Sequence, residues 1–141
     1  MNRTKDLVYT QCTRYIVRPD HHERYAFMTE APSDAVVIEI GQGFVTWVSP
    51  EDTGRARAML WHCKPSGLSI YAVATDRSLH KDGRKLRLHH FIAGRVDGLV
   101  VDHINGNTLD NRRPNLRHVT HSVNATNRHT AQDLRETCAR V

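Results

Sequence analysis

The sequence has few of the residues that build disulfide frameworks and no stretch suited to a membrane. Its three cysteines, Cys12, Cys63 and Cys138, are far apart, which argues against a disulfide framework and a structural zinc site and favours reduced thiols. No apolar stretch approaches the roughly 20 residues needed to cross a bilayer. Residues 1–6 lead into no long apolar run, so we expect no secretory signal and a cytoplasmic location.

Basic residues are in excess. The chain has 20 Lys and Arg against 15 Asp and Glu, a formal net charge of +5 and a pI near 9.4. A positive balance favours polyanionic partners, because Lys and Arg displace counterions from phosphate groups. Ten histidines, most of them after residue 79, add positive charge just below neutral pH. Nucleic acid is therefore the favoured class of partner.

The first half of the chain has the pattern of a small β-rich region. β-Branched residues at 35–40 and 44–48, on either side of Gly41-Gln42-Gly43, predict a hairpin. Residues 69–74 predict a further strand. The remaining predictions are short strands at 7–9 and 14–17, a turn or loop at 19–23, and a connector at 28–33.

A helix start follows the hairpin. Ser49 is suited to an N-cap, Pro50 to the first helical position, and two acids to the first turn. We expect a helix up to about Leu60, with Ala56, Met59 and Leu60 packing inward. Trp61 is then expected in the core.

A basic segment lies just before the part of the chain that has the most informative motif. Residues 81–84 predict a turn, and the alternation over 85–89 predicts a strand. Its polar face would carry Lys85, Arg87 and His89, which could follow a phosphate backbone. A solvated strand face is the alternative.

The segment from Val101 to Asn124 carries the chemistry. An apolar strand at 99–101 ends in Asp102 and His103, a loop rich in Asn and Gly spans 104–115, and a strand at 116–119 leads to a helix capped by Thr120 or Ser122. Asn115 and Asn124 follow Asp102 at fixed offsets. A hard-metal phosphodiesterase needs these parts: an anionic oxygen ligand, a neutral base and a second oxygen ligand.

This segment resembles the HNH endonucleases, in the branch found in phage proteins and intron-encoded homing endonucleases. The resemblance covers about residues 86–128 and is specific, because many positions match at fixed spacing. The matching residues are His89-His90-Phe91-Ile92, Val101 to Asn107, Leu109 to Arg113, Asn115 to Arg117, Thr120, Asn124 and Asn127. A looser resemblance extends over Ile38 to Trp61 and Tyr71-Ala72.

The resemblance implies roles for four residues in a ββα-metal site. Asp102 and Asn124 would be ligands of Mg²⁺ or Mn²⁺, and His103 would be the general base. Asn115 would brace the loop and orient the histidine. Taken singly, each residue has a plainer reading as a turn, strand-end or exposed helix residue, but the joint spacing favours the site. Burying Asp102 without its metal would be costly, so we expect the site to stay partly open to water.

Seven nearby residues have supporting or phosphate-contact roles in this interpretation: His89, His90, His121, Arg112, Arg113, Arg117 and Asn127. For His89, a phosphate contact, support of the site and packing in the core all remain open. His90 stands where the family commonly has Arg, so its phosphate contact would be weaker or pH-dependent. His121 could support the site or act as an alternative ligand. For the arginines, solvation at the surface is the alternative.

These observations predict an α+β fold with a β-rich N-terminal lobe at 1–85 that could contact DNA. An HNH ββα-metal core would follow at 86–130, and a short helix or tail at 131–141. The expected function is metal-dependent cleavage of double-stranded DNA, in the host cytoplasm for a phage protein. A monomer would nick, and a homodimer could cut both strands. A non-catalytic DNA-binding module and a toxin-type RNA nuclease remain alternatives.

Overall fold

The structure is a computed structural model, and it describes residues 19–76, 78 and 83–127. The predicted strands at 7–9 and 14–17 and the predicted C-terminal helix or tail at 131–141 lie outside these residues. So do Cys12, Cys138 and part of the predicted turn at 81–84.

Short helices and strands are mixed along the chain, which confirms the α+β prediction. The helices are α1 Pro19–Tyr25, α2 Thr53–Arg57, α3 Leu88–Ala93 and α4 His121–Thr126. The strands are β1 Val36–Gly41, β2 Phe44–Val48, β3 His62–Ser66, β4 Ser69–Asp76, β5 Arg84–Arg87, β6 Val100–His103, β7 Asp110–Asn111 and β8 Leu116–Val119. Single turns of 3-10 helix cover Ala26–Thr29, Pro50–Asp52 and Arg113–Asn115.

The first sheet has the strand order β1-β2-β7. The predicted hairpin is confirmed: Gly41 pairs with Phe44, and the two residues between them have positive φ, 61° at Gln42 and 77° at Gly43. Positive φ at both central residues matches the right-handed twist of the flanking strands. β7 then joins β2 in parallel, with Trp47 opposite Asp110. The long loop before Asn115 is therefore anchored in the N-terminal sheet.

The second sheet is the antiparallel order β3-β4-β5. The strand predicted at 69–74 is confirmed and extends to Asp76. β3 was not expected, because Lys64, Pro65 and Ser66 have little strand character of their own. Its pairing with β4 stabilises the strand conformation that its own residues do not favour.

The third sheet pairs β6 with β8 antiparallel, with Asp102 opposite Arg117 and His103 opposite Leu116. α4 follows directly. Its first turn is capped as predicted, because the Thr120 hydroxyl accepts a hydrogen bond from the backbone N of Val123. The predicted order of strand, loop, strand and helix is confirmed, and the loop also contains β7 and one turn of 3-10 helix.

A single hydrophobic core includes residues from both predicted lobes. Trp47 and Ile70 pack in the same cluster as Leu88 and Leu109, and each is at most 1% exposed. Trp61 is buried as predicted, and its Nε1 donates to the carbonyl of Ala56 at 2.7 Å. The division at residues 85 and 86 stays a prediction. No helix of the described residues is long and apolar enough to cross a membrane.

Two predictions of backbone conformation were wrong. The segment predicted as a loop at 19–23 begins α1, where proline is tolerated in the first turn and where Tyr25 packs into the core. The strand predicted over 85–89 ends at Arg87, and His89 lies in α3. A helix forms there because Leu88 and Ile92, four residues apart, are buried on one face.

The helix after the hairpin is shorter than predicted. α2 ends at Arg57, and Leu60 is 90% exposed rather than packed inward. Ser49 forms no side-chain cap on the turn that follows it. Its hydroxyl instead accepts a hydrogen bond from the backbone N of Arg113, at 2.9 Å.

Candidate functional site

A cleft of about 790 Å³ brings together residues of β6, α3, α4 and the second sheet. Asp102 and His103, at the end of β6, line it together with Asn124 of α4. His89 and Asn127 also contribute to its wall. The ββα arrangement therefore places the carboxylate, the histidine and the helix amide around one space.

Asp102 is held by two side chains. Arg117 Nε donates to Oδ2 at 3.0 Å, and Nη2 forms an ion pair with the same oxygen at 2.9 Å. The Asn127 amide donates to Oδ1 and Oδ2 at 2.9 and 2.8 Å and to the His103 carbonyl at 2.9 Å. Asp102 itself is only 5% exposed, at the wall of the cleft. The guanidinium and the amide replace the water that a buried carboxylate would otherwise need.

A chain of hydrogen bonds fixes the tautomer of His103. The Thr46 hydroxyl donates to the Leu109 carbonyl at 2.7 Å, so its oxygen is left to accept from Asn111 Nδ2 at 2.8 Å. The Asn111 amide therefore turns Oδ1 toward His103 Nε2, 3.0 Å away. Nε2 carries the proton, and Nδ1 is the basic nitrogen of the neutral ring.

Burial lowers the pKa of both His103 and His89. It lowers the pKa of His103, against the opposing effects of the Asn111 hydrogen bond and of Asp110 and Asp102. It also lowers the pKa of His89, as do the nearby His103 and His90. The His89 and His103 rings meet edge to face with their centroids 4.9 Å apart.

The loop between β6 and β8 is held by buried amides. Asn115 Oδ1 accepts from the backbone N of Asn105 at 3.0 Å, and its Nδ2 donates to Asn105 Oδ1 and to the Asp110 carbonyl at 2.9 and 2.8 Å. Asn105 Nδ2 in turn donates to Asp110 Oδ2 at 2.9 Å. Asn115 thus braces the loop, while the side chain that contacts His103 is Asn111.

The three arginines predicted as phosphate contacts are all engaged with carboxylates. Arg112 is 4% exposed and is bound by Asp110 and Asp34, whose hydrogen bonds and charge raise its pKa despite burial. Arg113 pairs with the buried Asp52 at 2.7 Å. Arg112 and Arg113 therefore stabilise the loop, whereas Arg117 pairs with Asp102 inside the cleft.

Asn124 is exposed to solvent, whereas Asp102 is buried. All six residues of α4 are exposed, and both Asn124 and His121 line the cleft. His90 is half-buried in the same wall, and burial lowers its pKa. In the part of the chain that the structure describes, no group of three or more His, Cys, Asp or Glu side chains is arranged to hold a metal ion. A metal in the cleft would therefore need an amide ligand such as Asn124.

The comparison with protein families falls on this segment. Residues 91–126, about a quarter of the chain, match the family model of HNH endonucleases. The chain carries an HNH endonuclease segment. The resemblance seen in the sequence is thus confirmed, and the HNH segment includes Asp102, His103, Asn115 and Asn124. No curated protein and no solved structure matches the chain.

Two residues of the HNH site could not be found from the local pattern. Thr46 lies in the first hairpin, and no signal in its own neighbourhood links it to His103. Asp110 looks like an ordinary turn residue, yet it is fully buried and binds both Asn105 and Arg112. The parallel pairing of β7 with β2 brings Thr46 beside Leu109 and Asn111.

Proposed function

We propose that this protein is a metal-dependent DNA endonuclease that nicks one strand of a duplex through the cleft of its HNH segment. The HNH segment itself indicates nuclease activity. The observation that carries the proposal is the fixed tautomer of His103, whose basic Nδ1 belongs to a neutral ring in the same cleft as Asp102 and Asn124.

The residues of the cleft fit a hard divalent cation. Among the described residues, Asp102 Oδ1 accepts a hydrogen bond only from Asn127, so it keeps capacity for a further partner. Asn124 adds an exposed amide on the facing helix. Carboxylate and amide oxygens are the ligands that Mg²⁺ and Mn²⁺ prefer. Bound between Asp102 and Asn124, such an ion would stabilise the charge developing on the phosphate and the leaving oxygen.

His103 is suited to removing a proton from an attacking water. Its pKa is lowered by burial, so Nδ1 is unprotonated at neutral pH. Asn111 and Thr46 hold the proton on Nε2 and so keep the ring in the tautomer that can act as a base. Asn115 keeps the loop in the conformation that carries this arrangement.

One such cleft in a monomer cuts one strand, so the expected product is a nick. A homodimer or two successive events would be needed to cut both strands. Duplex DNA is the proposed substrate because the chain is basic and HNH segments are endonucleases. A non-catalytic DNA-binding module is less favoured, because a binding module needs no fixed tautomer at His103.

The test is cleavage of supercoiled plasmid by purified protein with Mg²⁺ or Mn²⁺, beside an EDTA control. We expect open-circular product that needs the metal. His103→Ala should lower the rate by about 10²–10⁴-fold, the usual contribution of a general base. His118→Ala is the matched control, because His118 lies on β8, bonds the Gly94 carbonyl and is not part of the cleft wall.

Full activity in His103→Ala would exclude this mechanism. Binding of the plasmid without cleavage in any divalent metal would favour the binding module. Cleavage of single-stranded RNA in preference to duplex DNA would favour a toxin-type RNA nuclease.

A further inference from the structure

The two faces of the second sheet differ in character. Directly opposed residues of an antiparallel sheet lie on the same face. Cys63 and Ala72, with Ala74 and Leu86, form the inner face and belong to the hydrophobic core. The residues at the alternate register positions form the outer face. They are His62, Lys64, Ser66, Ser69, Tyr71, Val73, Thr75, Lys85 and Arg87, and Val73 is the buried one among them.

The outer face is basic. It carries Lys64, Lys85 and Arg87, and none of its nine residues is acidic. In the ranges 19–76, 78 and 83–127, no carboxylate forms an ion pair with any of these three cations. Lys85 instead donates to the Thr75 hydroxyl at 2.8 Å. Arg112 and Arg113, by contrast, are already neutralised by carboxylates.

The same face runs into the cleft. Tyr71 and Arg87 both belong to the cleft wall, and the Arg87 guanidinium lies over the Tyr71 ring at 4.4 Å from its centroid. The Tyr71 ring also meets that of His89 at 5.6 Å, and His89 contacts His103. The basic face is therefore continuous with the residues around the proposed base.

We propose that the outer face of β3-β4-β5 binds duplex DNA, with Lys64, Lys85 and Arg87 contacting backbone phosphates beside the cleft. This inference rests on the proposed nuclease function, because it extends the same site. Charge complementarity and continuity with the cleft both favour this partner. The sequence predicted a basic strand face with Lys85, Arg87 and His89. In the structure His89 lies in α3 instead, and Lys64 and Tyr71 lie on the basic face.

The spacing of the cations suits a duplex. Lys85 and Arg87 are two residues apart on one strand, so they are separated by about 7 Å along it. That is about the axial rise of two phosphates on one DNA strand. Lys64 lies two strands away, at about 10 Å in the perpendicular direction. The three cations are thus spread both along one strand and across the sheet.

The test measures how binding depends on salt. A fluorescein-labelled duplex is titrated with full-length protein in EDTA, so that no cleavage occurs, and the anisotropy gives Kd at several salt concentrations. Replacing two phosphate contacts in Lys64→Gln/Lys85→Gln should weaken binding and make the slope of log Kd against log salt shallower by about 1.8. The KM for nicking should rise with the same variant.

Two controls accompany the double variant. Lys64→Arg/Lys85→Arg keeps both charges and should keep the slope. Arg57→Gln removes an exposed cation from α2, outside this face, and should leave the slope as it is in the original protein. An unchanged slope in the Gln double variant would overturn the proposal, as would an equal change in Arg57→Gln.

Failure of this inference can be told apart from failure of the nuclease proposal. If the protein nicks plasmid in a His103-dependent way and the Gln double variant binds normally, only the DNA-binding face is wrong. If the salt slope changes as expected but no metal supports cleavage, the face stands and the nuclease proposal fails.

Discussion

The two halves of the cleft are built differently. On one side, five residues of β6 and the following loop are at most 8% exposed and are held by side-chain hydrogen bonds: Asp102, His103, Asn105, Asp110 and Asn115. On the other side, Asn124 lies on a helix of six residues, all of them exposed. The proposed base, His103, is therefore positioned before any substrate arrives, whereas the second proposed ligand, Asn124, depends on a helix too short to be stable alone.

The exposed half of the cleft is held in position at the two ends of α4. Thr120 caps the first turn of α4, and Asn127, directly after the helix, bonds both Asp102 and the backbone of His103. Asn127 therefore links the exposed side of the cleft, formed by α4, to the buried side. If this comparison is right, substitutions in the buried loop should cost mainly stability, and substitutions in α4 should cost mainly activity.

The largest expected effect is at Asp110. Asp110→Asn removes the fully buried partner of Arg112 and should lower the free energy of unfolding by about 3–5 kcal/mol. Asp34→Asn makes the same change at the other, mostly exposed, partner of Arg112 and should cost about 0–1 kcal/mol. Urea denaturation measures both. Equal losses would show that burial is not what makes the loop rigid.

An intermediate effect is expected at Thr46. Thr46→Val keeps the shape of the side chain but leaves the Asn111 amide without its partner, at a cost of about 1–3 kcal/mol. The amide is then free to turn its NH₂ toward His103 and favour the wrong tautomer. We expect kcat for nicking to fall, by at most the contribution of a general base, about 10²–10⁴-fold. Thr46→Ser keeps the hydroxyl and should restore kcat; a low kcat in both variants would contradict the tautomer argument.

The smallest effect on stability is expected in α4. Thr120→Ala removes the cap and should cost about 1 kcal/mol, and Thr120→Ser should restore it. Asn124→Ala, on the exposed surface, should change stability by less than about 0.5 kcal/mol while lowering both the nicking rate and its response to Mg²⁺. A large loss of stability in Asn124→Ala would erase the difference between the two halves.

The sequence predicted the order of elements in this site but not the contacts that fix its chemistry. Asp102, His103 and the Thr120 cap follow from local patterns, because a strand end and an N-cap are specified by neighbouring residues. The helix at Leu88 was missed because alternation and helical spacing look alike over five residues. The contacts of Thr46 with Leu109 and Asn111 join residues more than sixty positions apart in the chain, which no local pattern reports.

The parallel pairing of β7 with β2 also bears on whether the segment could be moved to another protein. Thr46 and Met28 satisfy polar side chains of the HNH loop, and the Tyr25 hydroxyl bonds Thr108 at 2.9 Å. A graft of residues 91–126 alone would carry the base but leave these partners behind. The segment that would have to be grafted is therefore larger than the stretch by which the family is identified.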